Sequence, residues 1–412
     1  MGMLVFIKDM LGHIIRGNRM YYIWLVVLGI FITMGAIAYF WQLSEGLIVT
    51  NMRDQVSWGF YIANFTFFVG VAAAAVMLVI PSYIYHFKPI REIVLFGEMI
   101  AVMAVIMCIL FVVVDMGKPF HAWHIMMKPN FPSSLLVWDV IVLNGYLIIN
   151  AAAVTYVLYR AANGKEYKMS IMWPIVLMSI PWAFSIHTVT AFLYNGLSSR
   201  PFWNASIVAP RFIASALCSG PALMIIVFQI ARKVSEVDIS NEAIHKIAEL
   251  IAYAMGINLF LYAAEIFKEF YSHSIHLAPM DYLFFGLRKG GELHNVLVPF
   301  TWIALVFNIT AFILFLMPKM RYNFFTMNLA CILILVGVYI EKGMGLIIPG
   351  FIPDTLGEIY DYMPSATELL ITAGIWATGA LIYTLMIKTA VPIYKGELSL
   401  IPKAQRRKLP VH

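Results

Sequence analysis

Between two apolar runs lies Asp115-Met116-Gly117-Lys118-Pro119-Phe120-His121-Ala122-Trp123-His124, which puts a carboxylate, an amine, an indole and two imidazoles into one short break. Gly117 and Pro119 break a helix there. Further on, Trp138-Asp139, His187 in Ser185-Ile186-His187-Thr188-Val189-Thr190, and Arg211 in Ala209-Pro210-Arg211-Phe212 each sit inside apolar sequence, as do Asn64, Glu98 and Glu265. Charged and imidazole side chains are costly in a bilayer and face a cavity or one another, so each is a functional candidate. Carboxylates and imidazoles under apolar walls can be tuned to exchange protons near neutrality. That suits a lipid-soluble quinone, which needs partners at two oxygens, an aromatic-lined slot and groups that give or take two protons.

Each candidate also has a plainer reading. His121 and Trp123 suit the membrane–water interface, where imidazole and indole are solvated. Asp115 ends its apolar run and could simply reach water, Arg211 could snorkel or pair with a buried carboxylate, and His187 could be a satisfied core histidine. Glu98 reads either as a proton-path residue or as an interfacial carboxylate. His124 is expected to turn in toward Asp139.

The composition dictates what must position these groups. Of 412 residues 62% are hydrophobic and only 12% charged, and mean hydropathy is +0.83. Such a chain cannot cover itself with polar surface, so it is read as an all-α polytopic membrane protein. The net charge of +6 flanks apolar runs, which makes it a topology signal and not a nucleic-acid surface. Cys108, Cys218 and Cys331 stand alone, with no C-x-x-C or C-x-x-C-H, and no Walker loop or G-x-G-x-x-G occurs. Self-contained iron–sulfur, c-type haem, zinc and nucleotide sites therefore have no foothold. Haem b needs inward His on facing helices, and only His187 is firmly inside an apolar run. No haem, cluster or metal is expected on this chain.

About 20 apolar residues cross a bilayer, and ten such helices are expected near 20–42, 57–87, 92–115, 133–160, 171–196, 206–231, 243–270, 294–317, 322–341 and 366–391. The first run is longer than a signal-peptide core, so it is expected to remain as a span. Counting Lys and Arg in alternate connections gives 18 on one side and 7, Lys342 among them, on the other. By the positive-inside rule both termini are cytoplasmic and the segment 115–132 faces outward. At about 1.5 Å per residue, Asp139, Arg211, Glu265 and Asn64 then lie about 8–10 Å from the outer ends of their helices, and His187 about 14 Å. With Asp115 they are expected in one outer leaflet. A weak repeat pairs Gly70, Glu98 and Asp115 with Gly220, Glu249 and Glu265. It suggests two four-helix bundles, 57–196 and 206–341, flanked by helices 20–42 and 366–391 of one membrane domain.

The Asp115–His124 segment, Trp138-Asp139, Ser185–Tyr194, Arg200-Pro201-Phe202-Trp203 and Ala209-Pro210-Arg211-Phe212 together resemble the membrane subunits of the NrfD/polysulfide reductase class (PsrC-like). The resemblance covers roughly residues 50 to 320, and ten helices point to the DsrP/HmcC-like branch. It implies a cofactor-free, quinone-reactive subunit of a respiratory oxidoreductase, not an enzyme by itself, which exchanges electrons between the menaquinone pool and a partner. That partner would be an extracytoplasmic ferredoxin-like iron–sulfur subunit, with further cytochrome or redox subunits, and proton translocation is a possible accompaniment. The quinol site would lie near the outer face, with Asp139, His124 and Asp115 exchanging protons. His187, Arg211, Asn64 and His121 would support the quinone, and Glu98 and Glu265 would serve a proton path. A secondary transporter and a passive membrane anchor stay open as alternatives. Purification with redox partners separates the first from a quinone-reactive subunit, and quinol-analogue binding the second.

Overall fold

The computed structural model describes residues 3–235, 237–273 and 277–400. Among them, ten helices are long and apolar enough to cross a membrane: Arg19–Glu45, Phe60–Ile84, Val94–Asp115, Leu135–Ala162, Met169–Asn195, Val208–Ser235, Asn241–Ser272, Val298–Leu316, Phe324–Phe351 and Ala366–Tyr394. These are spans one to ten, and the chain is a multi-pass, all-α membrane protein. Polar side chains start several of them by accepting a first-turn N–H: Asn18, Ser134, Ser240 and Asn323, with Ser365 and Glu368 forming a reciprocal capping box. Lys403, Arg406, Arg407 and Lys408, four of the inward-facing charges counted above, lie outside the described residues.

Three boundaries differ from the sequence expectation. Span two widens into a single π turn, Ile80–Ile84, where Pro81 has no N–H to continue the ladder, and it stops there instead of at 87. Span eight begins at Val298 because Leu287–Lys289 and Glu292–His294 form a two-stranded antiparallel hairpin. Gly290 and Gly291 turn it, both at positive φ (61° and 90°), where a side chain would be strained. Span nine carries its helix through Lys342 and continues in two short turns, Met344–Ile347 and Pro349–Phe351. Lys342, counted above as an outward loop charge, is therefore a buried residue of the helix.

Span two is the centre of the bundle, with every residue from Tyr61 to Ala73 buried. It packs on spans three, five, six, nine and ten. A helix so enclosed needs small residues where it crosses another, since the bilayer gives no hydrophobic drive and contact comes from close packing. Gly70 faces Ala216 of span six, and a Cβ at Gly220 would collide with Ala74 of span two. The two glycines of the repeat thus meet across the crossing of spans two and six. Span one, by contrast, leans almost entirely on span ten, crossing it at Gly35 and Gly374, and shows most of its surface to lipid.

Candidate functional site

Asp139 is the fifth residue of span four, and the buried stripe Asp139, Leu143, Tyr146, Asn150 and Ala153 turns its carboxyl into the protein. It is 2% exposed. Its one hydrogen bond among the described residues comes from the Thr190 hydroxyl of span five, at 2.7 Å. One turn before Thr190, His187 is buried on the same helix, with Nδ1 3.2 Å from the Ala183 carbonyl and Nε2 without a partner. One turn after Thr190, the Tyr194 hydroxyl meets the Thr66 hydroxyl of span two at 2.6 Å. Edge and face contacts with Trp58 and Trp203 wall this line with aromatic rings. A carboxylate bonded to one hydroxyl, an imidazole one turn away on the same helix as that hydroxyl, and a further pair of hydroxyls lie along spans four, five and two, groups of the kind that accept and deliver protons.

The remaining expected residues go elsewhere. His124 and His121 are exposed on short turns between spans three and four, where the two rings pack on each other at 5.2 Å and His124 on Trp123 at 4.0 Å between centroids. His124 does not turn in to Asp139. Its segment is held at the surface by Gly117 and Pro119, and Phe120, Met126 and Met127 stand exposed beside it. Asn64 spends its side-chain oxygen on two donors, the Tyr339 hydroxyl at 3.0 Å and the Trp376 indole N–H at 2.9 Å, so it ties spans two, nine and ten together. Asp115 ends span three with Oδ1 unpartnered, next to Val114, whose carbonyl takes the amide of Gln42. Above it Glu368 accepts hydrogen bonds from the Tyr362 hydroxyl and from the N–H groups of Asn51 and Ser365. Burial, and then the Glu368 carboxylate, push the Tyr362 phenol well above its ordinary range, so it stays a donor. Glu98 is buried near the N-terminal end of span three, and its Oε2 has no partner.

Arg211 and Glu265 form a second buried group instead of supporting Asp139. The Arg211 guanidinium pairs with Glu265 of span seven and, at 2.7 Å, with Glu341 of span nine, and stacks 4.6 Å from the Tyr262 ring. Asn308 of span eight donates to Glu341 at 2.8 Å. Equal depth along separate helices therefore did not mean one site. Sequence reasoning missed Glu341, Lys342, Glu368, Thr66, Thr190 and Tyr194. The signal for the first two was present: Met327, Cys331, Ile334 and Val338 form a helical stripe that Glu341 and Lys342 extend before Gly343. Among the described residues no group of three or more His, Cys, Asp or Glu is arranged to hold a metal ion.

Fold and site together define a ten-span membrane protein with buried carboxyl, imidazole and hydroxyl groups on neighbouring helices. The chain belongs to the family described as Polysulphide reductase, NrfD, which it matches over residues 48–352. It is similar to a Halobacterium salinarum protein named as a dimethyl sulfoxide reductase membrane subunit, 24% identical over 87% of this chain and 88% of that protein. It is 25% identical to the Hdr-like menaquinol oxidoreductase integral membrane subunit of Archaeoglobus fulgidus, over 91% of this chain and 94% of that protein. To the menaquinone reductase integral membrane subunit of Nitratidesulfovibrio vulgaris it is 22% identical, over 92% and 93%.

Proposed function

We propose that this chain is the quinone-reactive membrane subunit of a respiratory oxidoreductase complex, passing electrons between the menaquinone pool and an iron–sulfur partner on the outer face. The observation that carries the site is the buried Asp139–Thr190 hydrogen bond, with the buried and unpartnered Nε2 of His187 one turn from Thr190 on span five. Asp139 exchanges the proton of a quinone oxygen, Thr190 orients the carboxylate, and the free Nε2 of His187 is the second partner. Family membership and relatives named for menaquinol and menaquinone chemistry support the reading. Spans four and five show lipid the apolar side chains Leu136, Ile141, Phe184 and Phe192, which suits entry of a lipid-soluble carrier between them. His124 and Asp115 belong to the outer rim, where the partner subunit would dock. Glu98 serves protons on the inner side. A photoactivatable menaquinone analogue is expected to label spans four and five of the assembled complex and to be displaced by menaquinone. Labelling confined to spans seven to nine would reject the site.

The orientation proposed is both termini in the cytoplasm, on the imbalance of Lys and Arg between alternate loops. A cysteine placed at Ser133 is expected to react with an impermeant maleimide added from outside. Reaction only from the cytoplasmic side would invert the whole arrangement.

A further inference from the structure

Lys342 is 4% exposed, inside span nine, and is followed by the turn Met344–Ile347, of which Leu346 and Ile347 are buried. Its Nζ makes no ion pair within 4.0 Å among the described residues. It donates to the Phe212 carbonyl at 3.2 Å and lies 4.5 Å from the Phe212 ring. When it is protonated, that one hydrogen bond leaves two of its three donors unspent. A fixed structural cation in a membrane would be expected to sit on a carboxylate, as Arg211 does.

Its position is equally informative. The amine lies close against span two at Gly70, where a Cβ would stand 3.1 Å from Nζ and press on it. Gly70 is one turn from Thr66, whose hydroxyl meets Tyr194, and Tyr194 is one turn from Thr190 on Asp139. On the other side, a cavity of about 20 Å³ is lined by Lys342, Glu341, Arg211 and Ser215. A second of about 20 Å³ is lined by Arg211, Glu341, Glu265, Tyr262 and Thr301, and reaches Met280 and Leu283 of the short helix Leu277–Phe284 in the connection between spans seven and eight. Each has room for about one water, and each has the two to four polar partners that a buried water needs. Beside them the Arg211 Nε and the Asn308 Oδ1 are buried with no protein partner. Lysine can give up its proton where arginine does not.

We propose that Lys342 is a proton-exchanging residue that carries protons released at Asp139 into the second half of the bundle, from which they leave outward by way of Glu341 and Glu265. This rests on the quinone reading above. When a quinol is oxidised, two electrons go to the partner subunit and two protons remain. A proton leaving the Asp139 carboxyl moves past the Thr190 hydroxyl and the hydrogen-bonded Tyr194–Thr66 pair to Lys342 in its neutral amine form, with water carrying it over the two steps, Thr190 to Tyr194 and Thr66 to Lys342, that no direct hydrogen bond spans. The resulting ammonium returns it through cavity water to Glu341, and no net charge accumulates on the chain. Quinone reduction runs the same path backward.

The test uses the assembled complex and the variants Lys342→Met, which cannot hold a proton, and Lys342→Arg, which cannot release one. Quinol-linked electron transfer is expected to fall about 10²-fold in both, the lower end of what a positioned acid–base group contributes. The solvent isotope effect should rise, with quinone-analogue binding and melting temperature held near wild type. Wild-type turnover in Lys342→Arg would reduce the residue to a fixed charge and overturn the proposal, as would an unchanged isotope effect in a slowed Lys342→Met. If either variant fails to assemble, Lys342→Gln is read by the same criteria as Lys342→Met. Asp139→Asn in the same assay separates the two ideas. Slow Asp139→Asn with normal Lys342→Arg rejects only the exit route, and normal Asp139→Asn rejects the quinone site.

Discussion

Asp139→Asn is expected to lower quinol-linked electron transfer of the assembled complex by roughly 10²–10⁴, the span that general acid–base groups contribute. The substitution keeps size and planarity, and the amide oxygen can still accept the Thr190 hydroxyl, which lies 2.7 Å from Oδ1. What disappears is the ability to take a proton. Because Asp139 is 2% exposed and pairs with no cation among the described residues, no neighbouring charge is stranded by its loss, so folding should survive. His187→Ala should weaken binding of a quinone-site inhibitor, because a buried hydrogen bond is worth on the order of 1 kcal/mol. An assembled Asp139→Asn, His187→Ala double variant that turns over like wild type would show that the site lies elsewhere in the bundle.

Much of the architecture was legible in the sequence because bilayer thickness imposes one length on every helix and leaves apolar composition as its mark. Ten runs were expected and ten spans are present among the described residues. The site was legible only as depth along each helix. Depth placed Asp139, His187 and Arg211 in one leaflet, but it could not tell which direction around its helix each side chain faces, nor which helices are neighbours. Span six packs on span two with its small face, which sends Arg211 to spans seven and nine and away from span four. His124 failed for a different reason: a histidine beside a helix break reads the same whether the short turn after it folds inward or lies on the surface. Lys342 was misplaced because a lysine after an apolar run normally marks its end. Here the run continues past it into a partly buried turn.

The Arg211 network sets the second large effect, this time on stability. Arg211→Met is expected to destabilise the protein by about 3–5 kcal/mol, the usual cost of removing one partner from a buried ion pair. Glu265 and Glu341 are both about 5% exposed in their side chains, and without the guanidinium they would face each other across a cavity of about 20 Å³. Asn308 would still hold Glu341, but Glu265 would keep no charged partner among the described residues. Arg211→Lys should fall between, because a point charge cannot fork to two carboxylates on different helices as the planar guanidinium does. Changing all three together, Arg211→Met with Glu265→Gln and Glu341→Gln, should recover most of the loss, since no uncompensated charge then remains. Thermal melting of the purified complex in one detergent orders the four proteins. An Arg211→Met variant that melts with wild type would mean that the ion pairs do not hold spans six, seven and nine together.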